Sequence, residues 1–162
     1  MNRFTLLILL PVFLVMTGSY CETDILQDPA FQFWCGEQPC EWDVEDGEVR
    51  QVPTWHEHDY AIELVGAPVV ISQLAKRGSS SCVRIELIAD VEPRAMLLVQ
   101  IDFDDDGSAD WSSPINRQGF QSMSWEIQPR SSVGSWRFIL NKAAEGRAVI
   151  TQLRASSECE RP

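Results

Sequence analysis

The stretch CVRIELIADVEPRAMLLVQIDF, residues 82–103, decides the fold. In its first half Val83, Ile85, Leu87, Ala89 and Val91 fall on one side, with Arg84, Glu86 and Asp90 on the other. After Glu92-Pro93-Arg94 the pattern resumes, with Ala95, Leu97, Val99, Ile101 and Phe103 on a shared side. Successive side chains of an extended chain point to opposite faces, so this period of two predicts two half-buried strands. The proline between them marks the turn.

Working outward, the same chemistry recurs. Met123, Trp125 and Ile127 alternate with Ser122, Ser124, Glu126 and Gln128. Strands are predicted over 60–65, 69–75, 82–91, 95–103, 121–128, 135–141 and 148–155. Turns are predicted at Gly66-Ala67-Pro68, 78–81, 92–94, 104–114, 129–134 and Glu145-Gly146. No segment carries a sustained helical stripe. The expected fold is therefore all-β, an antiparallel β-sandwich of the jelly-roll kind in a single domain.

The first twenty residues differ from this. Asn2 and Arg3 make a short polar, basic start, Phe4 to Met16 run apolar except Thr5, and Thr17, Gly18 and Ser19 are small. That order predicts a signal peptide over 1–20 and a domain over 21–162. The apolar run is shorter than the roughly 20 residues of a spanning helix. The chain carries a net charge of −11, and losing Arg3 with the leader makes the exported domain more negative still. Such a chain repels phosphate backbones, so nucleic acid is excluded as a partner.

The five cysteines are Cys21, Cys35, Cys40, Cys82 and Cys159. Cys21 stands at the end of the leader, where a lipoprotein carries its lipid, and setting it aside leaves an even number for an oxidising compartment. Lipidation of Cys21 is the expectation, and a lipid there is the only membrane attachment foreseen. Gly18 and Tyr20 depart from the lipoprotein signal, and a cut after Ser19 is the alternative. Cys35 and Cys40 enclose a turn-like Gly-Glu-Gln-Pro, which favours pairing them and leaves Cys82 with Cys159. Closing the longer loop would stabilise by about 4–5 kcal/mol on chain-entropy grounds.

The segments, in order, resemble the galactose-binding-like jelly-roll modules, especially the carbohydrate-binding modules of secreted glycoside hydrolases. Asp28-Pro29-Ala30-Phe31-Gln32 looks like their opening element and Trp42 like the tryptophan after it. Asp59-Tyr60-Ala61-Ile62-Glu63-Leu64 and Val70-Ile71-Ser72-Gln73 look like two of their strands. The resemblance implies an exported, non-catalytic module whose partner is a carbohydrate. A structural or interaction role with an envelope protein is the alternative. Gln32 replaces their usual glutamate and Ile150-Thr151-Gln152-Leu153 lacks an aspartate, so their structural calcium is not expected at that place.

Two clusters carry candidate chemistry. Asp102, Asp104, Asp106 and Asp110 surround Gly107, and alternating carboxylates with a glycine can curl around Ca2+. The same residues equally make an acidic hairpin turn. In Trp55-His56-Glu57-His58-Asp59-Tyr60, Trp55 or Tyr60 offers a flat face for a sugar ring, while His56, Glu57 and Asp59 would bond its hydroxyls. His56 and His58 are both histidines of the chain and, two residues apart, also suit a transition metal. Of six tryptophans, Trp42, Trp125 and Trp136 read as core and Trp34 as packing on the 35–40 disulfide. Trp55 and Trp111 fall in predicted loops and are the candidate binding surface. Nucleophile elbows, phosphate loops and HExxH helices are absent, so no catalytic residue is assigned.

Overall fold

The computed structural model describes residues 24–54, 59–75, 82–115, 118–129, 135–157 and 159. Among them the strands are β1 (Trp34–Cys35), β2 (Gln38–Pro39), β3 (Asp43–Pro53), β4 (Tyr60–Ala75) and β5 (Val83–Val91). They continue with β6 (Leu97–Asp102), β7 (Trp111–Ile115), β8 (Gly119–Ile127), β9 (Trp136–Lys142) and β10 (Ala148–Ser156). The described residues hold no helix long and apolar enough to cross a membrane.

Eight strands form one antiparallel sheet in the order β7-β6-β9-β4-β10-β5-β8, with β3 also on β4. The long β4 is where this sheet folds over. Its first half pairs β10 at Ile62, Glu63 and Leu64, and its second half pairs β9 from Val69 to Ala75. The two ends of the path then meet: Trp111 on β7 lies edge-on to Trp125 on β8, ring centroids 5.7 Å apart. The result is the expected jelly-roll sandwich. Its inner faces bury the alternating residues read from sequence, Val83, Ile85, Leu87, Ala89 and Val91 against Leu97, Val99, Ile101, Phe138 and Leu140.

Two predicted loops turn out to be strand, one wholly and one at its end. Gly66-Ala67-Pro68 does not divide two strands; β4 runs through it, with a cis Ala67-Pro68 bond, and changes partner there. Opposite, β3 shifts register between Val44 and Glu48, and a Cβ on Gly47 would lie 2.4 Å from the Pro68 carbonyl oxygen. The buried Lys142 amine donates to the Gly66 carbonyl, satisfying an acceptor at the bend. Burial pulls that ammonium below the usual lysine range, while Glu145, Glu63 and Glu92 act in the opposite sense. The second correction is β7, which takes up the end of the predicted 104–114 loop, so Trp111 begins a strand. β3 was missed because Asp43, Glu45, Asp46, Glu48 and Arg50 hide its weak alternation.

Both predicted disulfides are present. Cys35 joins Cys40 with Cα atoms 5.1 Å apart, closing the β1–β2 hairpin, and Cys82 joins Cys159 with Cα atoms 6.1 Å apart. The opening element also packs as read, with Phe31 and Trp42 buried and their ring centroids 5.0 Å apart. Trp34 donates its Nε1–H to the Phe31 carbonyl at 2.8 Å.

Candidate functional site

The outer face of the layer built from β3, β4, β10, β5 and β8 is hollowed into a cleft of about 480 Å³. Strand register builds it row by row. Arg50, Glu63, Val149, Asp90 and Phe120 are successive cross-strand partners. Their neighbours along each strand point into the core, so these five face outward. In the next row Val52 partners Ala61, and Ile88 partners both Gln152 and Ser122. A register shift between Ile150 and Gln152 inserts Thr151, and such a bulge bends its strand.

The floor is therefore apolar, made of Val52, Ala61, Ile88 and Val149, and polar groups gather at its margins. Phe120 stands 52% exposed and Tyr60 40% exposed, both lining the same cleft. Large exposed aromatics beside an apolar floor are the residues a ligand would cover. Arg147 is fixed at one end, its Nη1 3.0 Å from Asp90 Oδ2 and its Nε 3.5 Å from Glu63 Oε1. At the other end the Gln32 side chain pairs with the backbone of Tyr60. Its Nε2 donates to the Tyr60 carbonyl at 2.8 Å and its Oε1 accepts from the Tyr60 N–H at 3.1 Å. The same Nε2 donates to the Ala30 carbonyl at 2.6 Å. The Ala30 and Tyr60 carbonyls are thus both held by one neutral amide.

The site residues expected from sequence separate as follows. Asp59 and Tyr60 line the cleft, and Thr54 donates its N–H to the Asp59 carbonyl at 3.0 Å. Trp55 and His56, with His58, lie outside the described residues, but Thr54 and Asp59 on either side of them both line the cleft. Trp111 does not line it; the ring is half-buried, packed on Trp125 and the core. Sequence reading missed Phe120, Asp90, Arg147 and Gln152. The signal for Phe120 was available, since it continues the outward series Ser122, Ser124, Glu126 by one step and is the lone aromatic in it.

The acidic loop closes largely on its own backbone. Asp102 Oδ1 accepts from the N–H groups of Asp104, Asp105 and Asp106 at 3.2, 2.7 and 3.3 Å, and Oδ2 accepts from Gly107 at 2.8 Å. Burial would raise the Asp102 carboxyl, but these four donors outweigh it and hold the group below its usual value. Asp104 is pushed upward, by desolvation and then by Asp106, Asp102 and Asp110 around it. Oxygens of Asp102, Asp104 and Asp106 stand within 4.8 Å of one another, close enough to share an ion. The fourth expected ligand, Asp110, accepts the Phe103 N–H at 2.8 Å and is not in that group. Arg137 braces the loop, its Nε 2.6 Å from Asp105 Oδ1.

No protein-family model matches the chain, and no curated protein matches it in sequence. Solved structures do match. A family 61 carbohydrate-binding module, solved in complex with β-1,4-galactotriose, superposes with a TM-score of 0.61 at 17% identity. The match covers 83% of this chain and 99% of that one. The fold is that of the carbohydrate-binding modules. The enzymatically active domain of tailspike protein 4 from bacteriophage CBA120 matches at a TM-score of 0.64 and 16% identity, over 83% of this chain but only 21% of that one. An arabinose-bound α-L-arabinofuranosidase matches at 0.62 and 12%, again over 83% of this chain and 26% of its own. The chain thus spans nearly all of the module and about a quarter or less of the enzymes.

Proposed function

We propose that this protein is a non-catalytic carbohydrate-binding module, and that its ligand lies in the sheet-face cleft between Tyr60 and Phe120. The observation that carries the reading is the pairing of two exposed aromatics with an apolar floor and a polar margin in one hollow. A pyranose has apolar faces and a rim of hydroxyls, so it needs that combination. A neighbour of the same fold, matched over 99% of its length, was solved in complex with β-1,4-galactotriose, which supports the ligand class. Trp55 and His56, which lie in sequence between the cleft-lining Thr54 and Asp59, are kept as candidate ligand contacts.

The two disulfides support an oxidising, extracytoplasmic setting. Export by residues 1–20, and a lipid on Cys21 that tethers the domain to the envelope, complete the proposal. The test of function is affinity electrophoresis of the domain in gels containing soluble polysaccharides. Retardation of the wild type, and its loss in Phe120→Ala by about tenfold in affinity, is expected. Phe120 is half-exposed, so that variant should keep its stability within about 0.5 kcal/mol. Failure of the folded wild type to bind any polysaccharide would remove the reading.

A further inference from the structure

The charge arrangement of the cleft says which glycans it admits, on the reading of that cleft as a glycan site. Arg147 is the one cationic side chain among the described residues that line it. Its guanidinium already faces two carboxylates, Asp90 at 3.0 Å and Glu63 at 3.5 Å, and its backbone N–H donates to Glu92 Oε2 at 3.0 Å. Glu63 is shared with Arg50, whose Nη2 lies 2.7 Å from its Oε2. Asp59 adds a further acid at the opposite end of the hollow. Acidic groups therefore outnumber cations around the floor, and each cation is committed to a partner.

A ligand carboxylate entering here would have to displace Asp90 or Glu63 from Arg147 while approaching other anions. Like charges brought together in a partly desolvated hollow oppose binding. A hydroxyl meets the opposite situation. A guanidinium has five N–H donors, and the two contacts above leave others free for vicinal oxygens. Asp90 keeps acceptor capacity for the hydroxyl hydrogens. We infer that the cleft selects neutral glycans over uronate-bearing ones, and that the pair of Asp90 on β5 with Arg147, the residue before β10, is the selector.

The experiment measures affinity of the folded domain for uncharged polysaccharides, such as a β-glucan, a xylan and a galactan, and for polygalacturonate, in wild type, Asp90→Asn and Glu63→Gln. The wild type should favour its best neutral ligand by at least about tenfold. Each variant should cut that preference by about threefold or more, and the change should shrink as salt is raised. Glu63→Gln reaches the same guanidinium from the other side, so a folding defect in one variant leaves the other to decide. Polygalacturonate bound as tightly as any neutral polymer, or a preference unchanged in both variants, overturns the selector and leaves the glycan site standing. Absence of binding to every polymer, polygalacturonate included, overturns the glycan site itself.

Discussion

Gln32 pairs with Tyr60 as though it were a neighbouring strand: the amide nitrogen donates to the Tyr60 carbonyl and the amide oxygen accepts the Tyr60 N–H. This holds the first residue of β4, and with it one wall of the cleft. Gln32→Glu removes both donated bonds and sets an anion against the Ala30 and Tyr60 carbonyls. The expected loss is about 1–3 kcal/mol at neutral pH, smaller near pH 4 where a protonated carboxyl regains one donor. Chemical denaturation at the two pH values checks it, and equal stability of variant and wild type at pH 7 would show the pairing to be incidental.

Asp102 gives the fold an acid limb. Although burial opposes its ionised form, the surrounding N–H groups set the folded carboxyl below its usual value of 3.8. The unfolded chain then takes up the proton more readily, so the stabilisation is whole above that value and is lost as pH falls through the folded one. Melting of the wild type should drop more steeply than melting of Asp102→Asn between about pH 4 and pH 2. At neutral pH the variant should already be less stable by about 2 kcal/mol. Parallel acid limbs would deny Asp102 this role.

The bend in β4 depends on close backbone approach at Gly47. Its φ is +80°, and an added Cβ would lie 2.4 Å from the Pro68 oxygen and 2.9 Å from Val69 Cα. Gly36 has a similar φ of +73° with nothing within 4 Å. Gly47→Ala is therefore expected to cost well over the strain alone, about 3 kcal/mol or more, against about 1 kcal/mol for Gly36→Ala. Comparable costs for the two would mean that the bend yields.

A hard cation held by the crowded carboxylates of Asp102, Asp104 and Asp106 is a proposal that thermal melting tests. Calcium at millimolar concentration should raise the melting temperature by a few degrees through Asp102, Asp104 and Asp106, an affinity in the range of extracellular sites, about 10⁻⁴–10⁻³ M. Asp104→Asn together with Asp106→Asn should abolish the rise. Identical melts in calcium and in chelator would leave the loop as a turn held by Asp102 alone.

Much of the fold was legible because its strands carry the alternation in their own side chains. Residues 82–103 read correctly to the residue on the buried face, and the paired cysteines followed from their spacing. What failed has a physical cause in each case. β4 carries Gly66 and Pro68 through a change of partner strand, which looks like a stop. β3 lies at the sheet margin, paired only with β4, so acidic residues replace its apolar half. The cleft was half legible: Asp59 and Tyr60 are near in sequence, whereas Asp90, Phe120 and Arg147 converge only through the register of β10, β5 and β8. Trp111 begins β7 instead of lying in a loop, and its contact with Trp125 was not legible because that partner comes from the far end of the sheet path.

The most direct test of the account is to map the ligand on the protein, by following backbone amide shifts during titration with a neutral oligosaccharide. The largest changes should fall on Tyr60 and Ala61, Ile88 to Asp90, Phe120, and Arg147 to Gln152, with Trp111 and the 102–110 loop unmoved. Changes centred on Trp111 and Trp125 or on the acidic loop, with the cleft silent, would contradict it.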